Sequence, residues 1–170
     1  MLKKTNVRLL ATMGLMVALH VVLSRFLSIN TMDLKIGFAF IPVFVAAYFY
    51  GPIAAGIVGA LGDFLGAILF PIGAYYFGFT LTCFCTGLTF GLLLHKKQTV
   101  VRIAASTAIN QLILGLVVNT FWLSTIKGTP FPVEMAVRLP QCLILIPVEF
   151  VVMAALSRAL FPRLKKAITA

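Results

Sequence analysis

Gly51-Pro52-Ile53-Ala54-Ala55-Gly56-Ile57-Val58-Gly59-Ala60-Leu61-Gly62-Asp63-Phe64-Leu65-Gly66 is the stretch whose reading decides the fold. It is an apolar run with recurring glycines and a single carboxylate near its end. A helix over these residues brings Gly59, Asp63 and Gly66, spaced four and three apart, onto one face. Small residues let helices approach closely in lipid, where no hydrophobic drive acts between them. An ionisable side chain in such a run is costly in the bilayer and must face a protein interior. Pro52 sits at the helix start, where its missing N–H costs nothing.

The rest of the chain has the same character. Of 170 residues, 61% are hydrophobic and 11% charged, against about 25% charged in soluble domains. No globule this small has an interior able to hide so much apolar surface, so lipid is the solvent for most of it. The apolar runs separate into six spans: Val7–Leu27, Lys35–Tyr50, Pro52–Leu69, Tyr76–His95, Thr99–Leu123 and Pro132–Phe161. Phe70-Pro71-Ile72-Gly73 and Lys127-Gly128-Thr129-Pro130 read as turns. The expectation is an all-α membrane protein, one six-helix transmembrane domain over residues 1–170, with no second domain and no linker.

The formal charge of +10 flanks the apolar runs, as membrane topology requires, and does not point to nucleic acid. On the six-span model, ten Lys and Arg fall on one side and Arg25, Lys35, Lys127 and Arg138 on the other. The positive-inside rule then places both termini in the cytoplasm. Lys3, Lys4 and Arg8 precede an apolar run like a signal peptide, but no small-residue cleavage site follows, so this is a retained span. Cys83, Cys85 and Cys142 lie within apolar runs and read as small buried hydrophobes, not metal or disulfide partners.

The outer ends carry the candidate chemistry. Asp63 has two open readings, a ligand carboxylate or a structural hydrogen-bonding group. Arg25, Lys35 and Arg138 either snorkel to the interface or receive an anion. Tyr75, Tyr76, Phe77 and Phe79, with Trp122, are either an interfacial aromatic belt or stacking faces for a flat ring. Asn119, close by, offers donors and acceptors. Glu149, after Pro147, is equally a site residue or a structural partner, and His20 reads as an interhelical hydrogen-bonding group. Ala11, Gly14 and Ala18 form a small-residue seam in the first span that packs within the bundle or docks another membrane protein. The sequence has no phosphate loop, no His-rich metal motif and no Gly-x-Ser-x-Gly turn. Energy for any transport must come from another protein.

Several ordered stretches carry a resemblance. They are Leu23-Ser24-Arg25-Phe26-Leu27-Ser28-Ile29, Phe40-Ile41-Pro42, Gly51 through Asp63, Phe70-Pro71-Ile72-Gly73, Gly78-Phe79-Thr80, Asn119-Thr120-Phe121-Trp122-Leu123-Ser124 and Ile146-Pro147-Val148-Glu149. Together, over nearly the whole chain, they resemble the substrate-binding S components of energy-coupling factor (ECF) vitamin transporters, folate type. The resemblance implies a prokaryotic plasma-membrane protein that binds a vitamin from outside. It further implies a transmembrane coupling protein and two cytoplasmic ATPases as partners, which use the ATP, and no cofactor on this chain. By the same resemblance, Asp63 meets a pterin's N–H groups, Tyr75 to Phe79 and Trp122 sandwich rings, and Arg25, Lys35 or Arg138 meet carboxylates. Ala11, Gly14 and Ala18 become the docking surface for the coupling protein. Where the family often carries a basic residue after Arg138-Leu139, this chain has Pro140-Gln141-Cys142. A hydroxymethylpyrimidine- or pyridoxine-type vitamin is therefore the alternative ligand. A small structural or assembly membrane protein is the alternative of another class.

Overall fold

The computed structural model describes residues 4–30, 35–73, 75–95 and 97–160. Its elements are helices α1 (Lys4–Arg25), α2 (Phe40–Tyr50), α3 (Pro52–Leu69) and α4 (Phe77–Leu94), then α5 (Val100–Ala108), α6 (Asn119–Lys127) and α7 (Phe131–Ala155). A π-helical stretch, Ile109–Val118, joins α5 to α6, so that Val100–Lys127 is one continuous 28-residue rod. A second π-helical turn, Leu156–Leu160, extends α7. The expected six helical rods are present. Four of them, Pro52–Leu69, Phe77–Leu94, Val100–Lys127 and Phe131–Arg158, are long and apolar enough to cross a membrane.

The second rod departs from expectation. Lys35–Gly37 is a strand, β2, paired antiparallel with β1 (Ser28–Asn30) in the register Ser28↔Gly37, Ile29↔Ile36 and Asn30↔Lys35. Helix α2 begins only at Phe40 and has 11 residues. That is about 16 Å at 1.5 Å per residue, roughly half of a bilayer core. The apolar character of Ile36 and Phe38 carries over from the helix behind them, which is why composition alone extends the span too far.

Glycine decides the packing of α3 on α4. A Cβ on Gly87 would strike the Ala55 backbone, and one on Gly91 would strike Pro52. Gly56 and Gly59 lie likewise against Phe84 and the Cys83 carbonyl. This contact of backbone on backbone is the close approach that small residues make possible in lipid. The reversal between α2 and α3 is a single residue, Gly51, at φ 88°, a left-handed conformation that L side chains rarely adopt. His95 at the end of α4 lies over it, with Nδ1 at 3.2 and 3.1 Å from the Ala47 and Tyr48 carbonyls. At this end of the bundle the core closes on Phe44, Phe90, Leu94, Ile103 and Met153. The opposite end stays open.

Candidate functional site

A cavity of about 580 Å³ occupies the open end, walled by all six rods and the hairpin. Its chemistry comes from a few side chains, each placed by local geometry. On one wall, α1 ends at Arg25, whose side chain crosses Gly66 of α3; a Cβ there would sit 2.9 Å from Nε. Glycine one turn from Asp63 therefore makes room for the guanidinium. Asp63 is buried at 9% exposure. The Thr80 hydroxyl donates to Asp63 Oδ2 at 2.8 Å. Thr80 has one hydroxyl proton, so the Tyr75 hydroxyl, 3.1 Å away, must be the donor to Thr80. This relay fixes the carboxylate and ties Tyr75 and α4 to α3.

The aromatic wall is built around Gly78, where any Cβ would collide with Trp122 and Tyr76. The rings of Tyr76 and Trp122 lie 5.5 Å apart, and the Trp122 indole N–H donates to Thr82 Oγ1 at 3.2 Å. Tyr75, Tyr76 and Phe79 line the cavity. Trp122 backs Tyr76 and does not itself line it. Phe77 faces outward, 66% exposed, so its place at the start of α4 does not bring it to the wall.

The remaining walls come from the last two rods. Arg138, Gln141, Cys142, Leu145 and Glu149 follow the three- and four-residue spacing of one helix face, and all five line the cavity. Arg138 is buried, and its Nε and Nη1 have no hydrogen-bond partner among the described residues. At the mouth, Lys127 pairs with Glu134 at 3.3 Å, and Thr129 donates to the same carboxylate oxygen at 2.9 Å. The long rod presents Asn119, with Gly115, Asn110 and Gln111 farther in. Gln111 donates to Glu149 at 2.6 Å. Lys35 opens β2, but its side chain lies outside the described residues.

The structure thus brings Arg25, Asp63, Tyr75, Tyr76, Phe79, Asn119 and Arg138 around one space. Ala11, Gly14 and Ala18 are elsewhere, exposed on α1. The space beside Gly14 is open: an added Cβ would meet no heavy atom within 4 Å. Sequence reasoning missed Asn110, Gln111, Gln141 and Lys127 as cavity residues. The amide pair Asn110-Gln111, inside an apolar rod, was the available signal.

A membrane bundle with a pocket of apolar walls and a few convergent polar groups at its open end is a small-molecule-binding membrane protein. The chain belongs to the S components of ECF-type transporters: the family model described as "ECF-type riboflavin transporter, S component" matches residues 4–161. Among similar proteins, the folate transporter FolT of Clostridium novyi (strain NT) is 40% identical over 152 residues, covering 89% of this chain and 87% of that protein. The folate transporter FolT of Leuconostoc mesenteroides is 30% identical over 153 residues, covering 86% and 82%. A crystal structure of FolT bound with folic acid matches with a TM-score of 0.82 at 33% identity, covering 86% of this chain and 90% of that one.

Proposed function

We propose that this chain is the folate-binding subunit of an ECF-type importer, taking the vitamin from outside the cell. The observation that carries the reading is the charge layout of the cavity. Two guanidinium groups, Arg25 and Arg138, line it with two carboxylates, Asp63 and Glu149, while a third lining cation, Lys127, is paired with Glu134 at the mouth. A folate needs that combination. Its glutamate tail carries two carboxylates, which guanidinium groups bind bidentately. Its pterin carries adjacent amino and ring N–H donors, which a buried carboxylate accepts. Tyr76 and Phe79 supply faces for the flat rings. Riboflavin, named in the family description, has an uncharged polyol tail and makes no use of the cations. Pyridoxine and hydroxymethylpyrimidine lack the dianion.

Delivery requires partners. The exposed seam of Ala11, Gly14 and Ala18 on α1 supports docking to a transmembrane coupling protein, with ATP hydrolysed by two further cytoplasmic subunits. The ten-to-four split of Lys and Arg between the two sides of the six spans in the sequence supports a multi-pass orientation with both termini inside. The chain itself is proposed to need no cofactor and to catalyse no reaction.

Trp122 is the only tryptophan in the sequence and backs the aromatic wall, so it reports on the site. Titrating the purified chain with folic acid should quench Trp122 fluorescence saturably at stoichiometric ligand. Asp63→Ala and Arg25→Ala, if folded, should each lose that response at the same concentrations. Unchanged fluorescence and no heat of binding with folic acid would remove the folate reading. Normal binding in both variants would keep the function and discard these two residues.

A further inference from the structure

We propose that Glu149, held by Gln111 and flanked by Asn110, reads the donor edge of the ligand's ring at the floor of the cavity. This inference rests on the folate reading above and assigns a specificity-determining residue within it.

Glu149 is 5% exposed and faces the cavity from α7. One carboxylate oxygen accepts from Gln111 Nε2 at 2.6 Å. The other, Oε2, is buried without a hydrogen-bond partner among the described residues. Asn110 is equally buried at 5%, faces the same space, and neither of its amide atoms has a partner there. A buried acceptor left unmade is costly, more so when charged. Two such side chains on one floor therefore form a receptor for a group that supplies N–H donors to a carboxylate and matches an amide beside it. A pterin does both. Its ring N–H and amino group point the same way, and the carbonyl next to them accepts from an amide such as Asn110.

Backbone geometry makes the arrangement specific. At about 100° per residue, an α-helix would put Asn110 and Asn119 on opposite faces. The π-helical stretch Ile109–Val118 lies between them. Its wider i→i+5 repeat turns less per residue, which brings both amides to the cavity. On α7, Arg138 and Glu149 are eleven residues apart on one face, which is about 16 Å along the axis. A ligand that satisfies both must carry ring donors at one end and an anion at the far end. A single-ring vitamin cannot reach across.

The experiment compares folic acid with 2-deamino-2-methylfolic acid, which has the same tail and lacks the amino donor. Both are titrated by calorimetry into the purified wild-type chain and into Glu149→Gln. The wild type should prefer folic acid by about tenfold or more, the size of one hydrogen bond to a charged group. Glu149→Gln should reduce that preference severalfold, because folic acid loses two donor contacts to the carboxylate while the analogue, which keeps its ring N–H, loses one. Gln111→Met, which frees the other carboxylate oxygen, is a second variant expected to blunt the same preference. If Glu149→Gln keeps the wild-type preference, whether or not overall affinity falls, Glu149 has a packing role and the inference is overturned. The same holds if the wild type binds both ligands equally. Absence of folic acid binding to the wild type would instead defeat the underlying folate reading.

Discussion

At the scale of single residues, the site is a set of charges that the bilayer would otherwise exclude. Arg138 shows the logic. It is 6% exposed, with two of its nitrogens unpartnered among the described residues. A buried charge of this kind is costly unless it is paired, and Arg138 lines the cavity that would receive the anionic tail under the proposed function. Arg138→Ala should lower folic acid affinity by about 3 kcal/mol, roughly a hundredfold, the usual cost of removing one member of a buried charge pair. Pterin without its tail should bind the variant as it binds the wild type. Calorimetry on both ligands checks this, and equal losses for both would place Arg138 away from the tail. Gly78 makes a different residue-scale demand. Any side chain there meets Trp122 and Tyr76. Gly78→Val should destabilise the chain by about 1–3 kcal/mol through overpacking. It should also displace the tryptophan from Thr82, seen as a red shift in emission together with a lower melting temperature.

At the scale of elements, the α3–α4 pair is the frame on which the site hangs. The helices touch through Gly56, Gly59, Gly87 and Gly91, and Asp63 and Thr80 bond across the same seam. Gly87→Leu should push α3 and α4 apart and weaken ligand binding even though Gly87 does not line the cavity. Binding and melting measured together would show both effects, and intact affinity at a lowered melting temperature would contradict the coupling. The small-residue face of α3 was legible in the sequence from the spacing of Gly59, Asp63 and Gly66, but not its partners: Gly59 packs on α4, Gly66 on Arg25 of α1, and Gly87 and Gly91 were not read. Two other elements were not legible. The paired strands Ser28–Asn30 and Lys35–Gly37 are hidden because three residues each, with Ser28, Asn30 and Lys35 polar, are too short to show an alternating pattern and read as loop. The π-helical stretch is hidden because a period of 3.6 assigns Asn110 to the wrong face. Asn110 and Gln111 at the floor of the cavity therefore escaped a reading built on α-helical repeats, while Asp63, Arg25 and Arg138, on regular helices, did not, and Glu149 was read with both roles open. Phe77 was over-read for a related reason: a run of aromatics at a helix start cannot all face one way.

At the scale of the whole molecule, one end is closed by aromatic and aliphatic packing and the other opens into a polar pocket. The proposed orientation, with the pocket facing outward, is checked by cysteine labelling in cells after Cys83, Cys85 and Cys142 are replaced. A cysteine at Gly73 or Gly128 should react with an impermeant maleimide added outside, and one at Lys97 should not. The reverse pattern would invert the topology. On α1, the exposed face at Gly14 stands apart from the cavity. Gly14→Leu should therefore reduce uptake by cells carrying the whole transporter and leave folic acid binding by the isolated chain unchanged. The most direct measurement is thermal stabilisation of the purified chain by folic acid, riboflavin, pyridoxine and hydroxymethylpyrimidine at matched concentrations. A ligand selective for the native state adds about 2.7 kcal/mol at a hundred times its Kd. We expect a saturable rise in melting temperature with folic acid and none with the other three. A rise with riboflavin or a single-ring vitamin, and none with folic acid, would contradict the assignment of Arg25 and Arg138 to a dianionic tail.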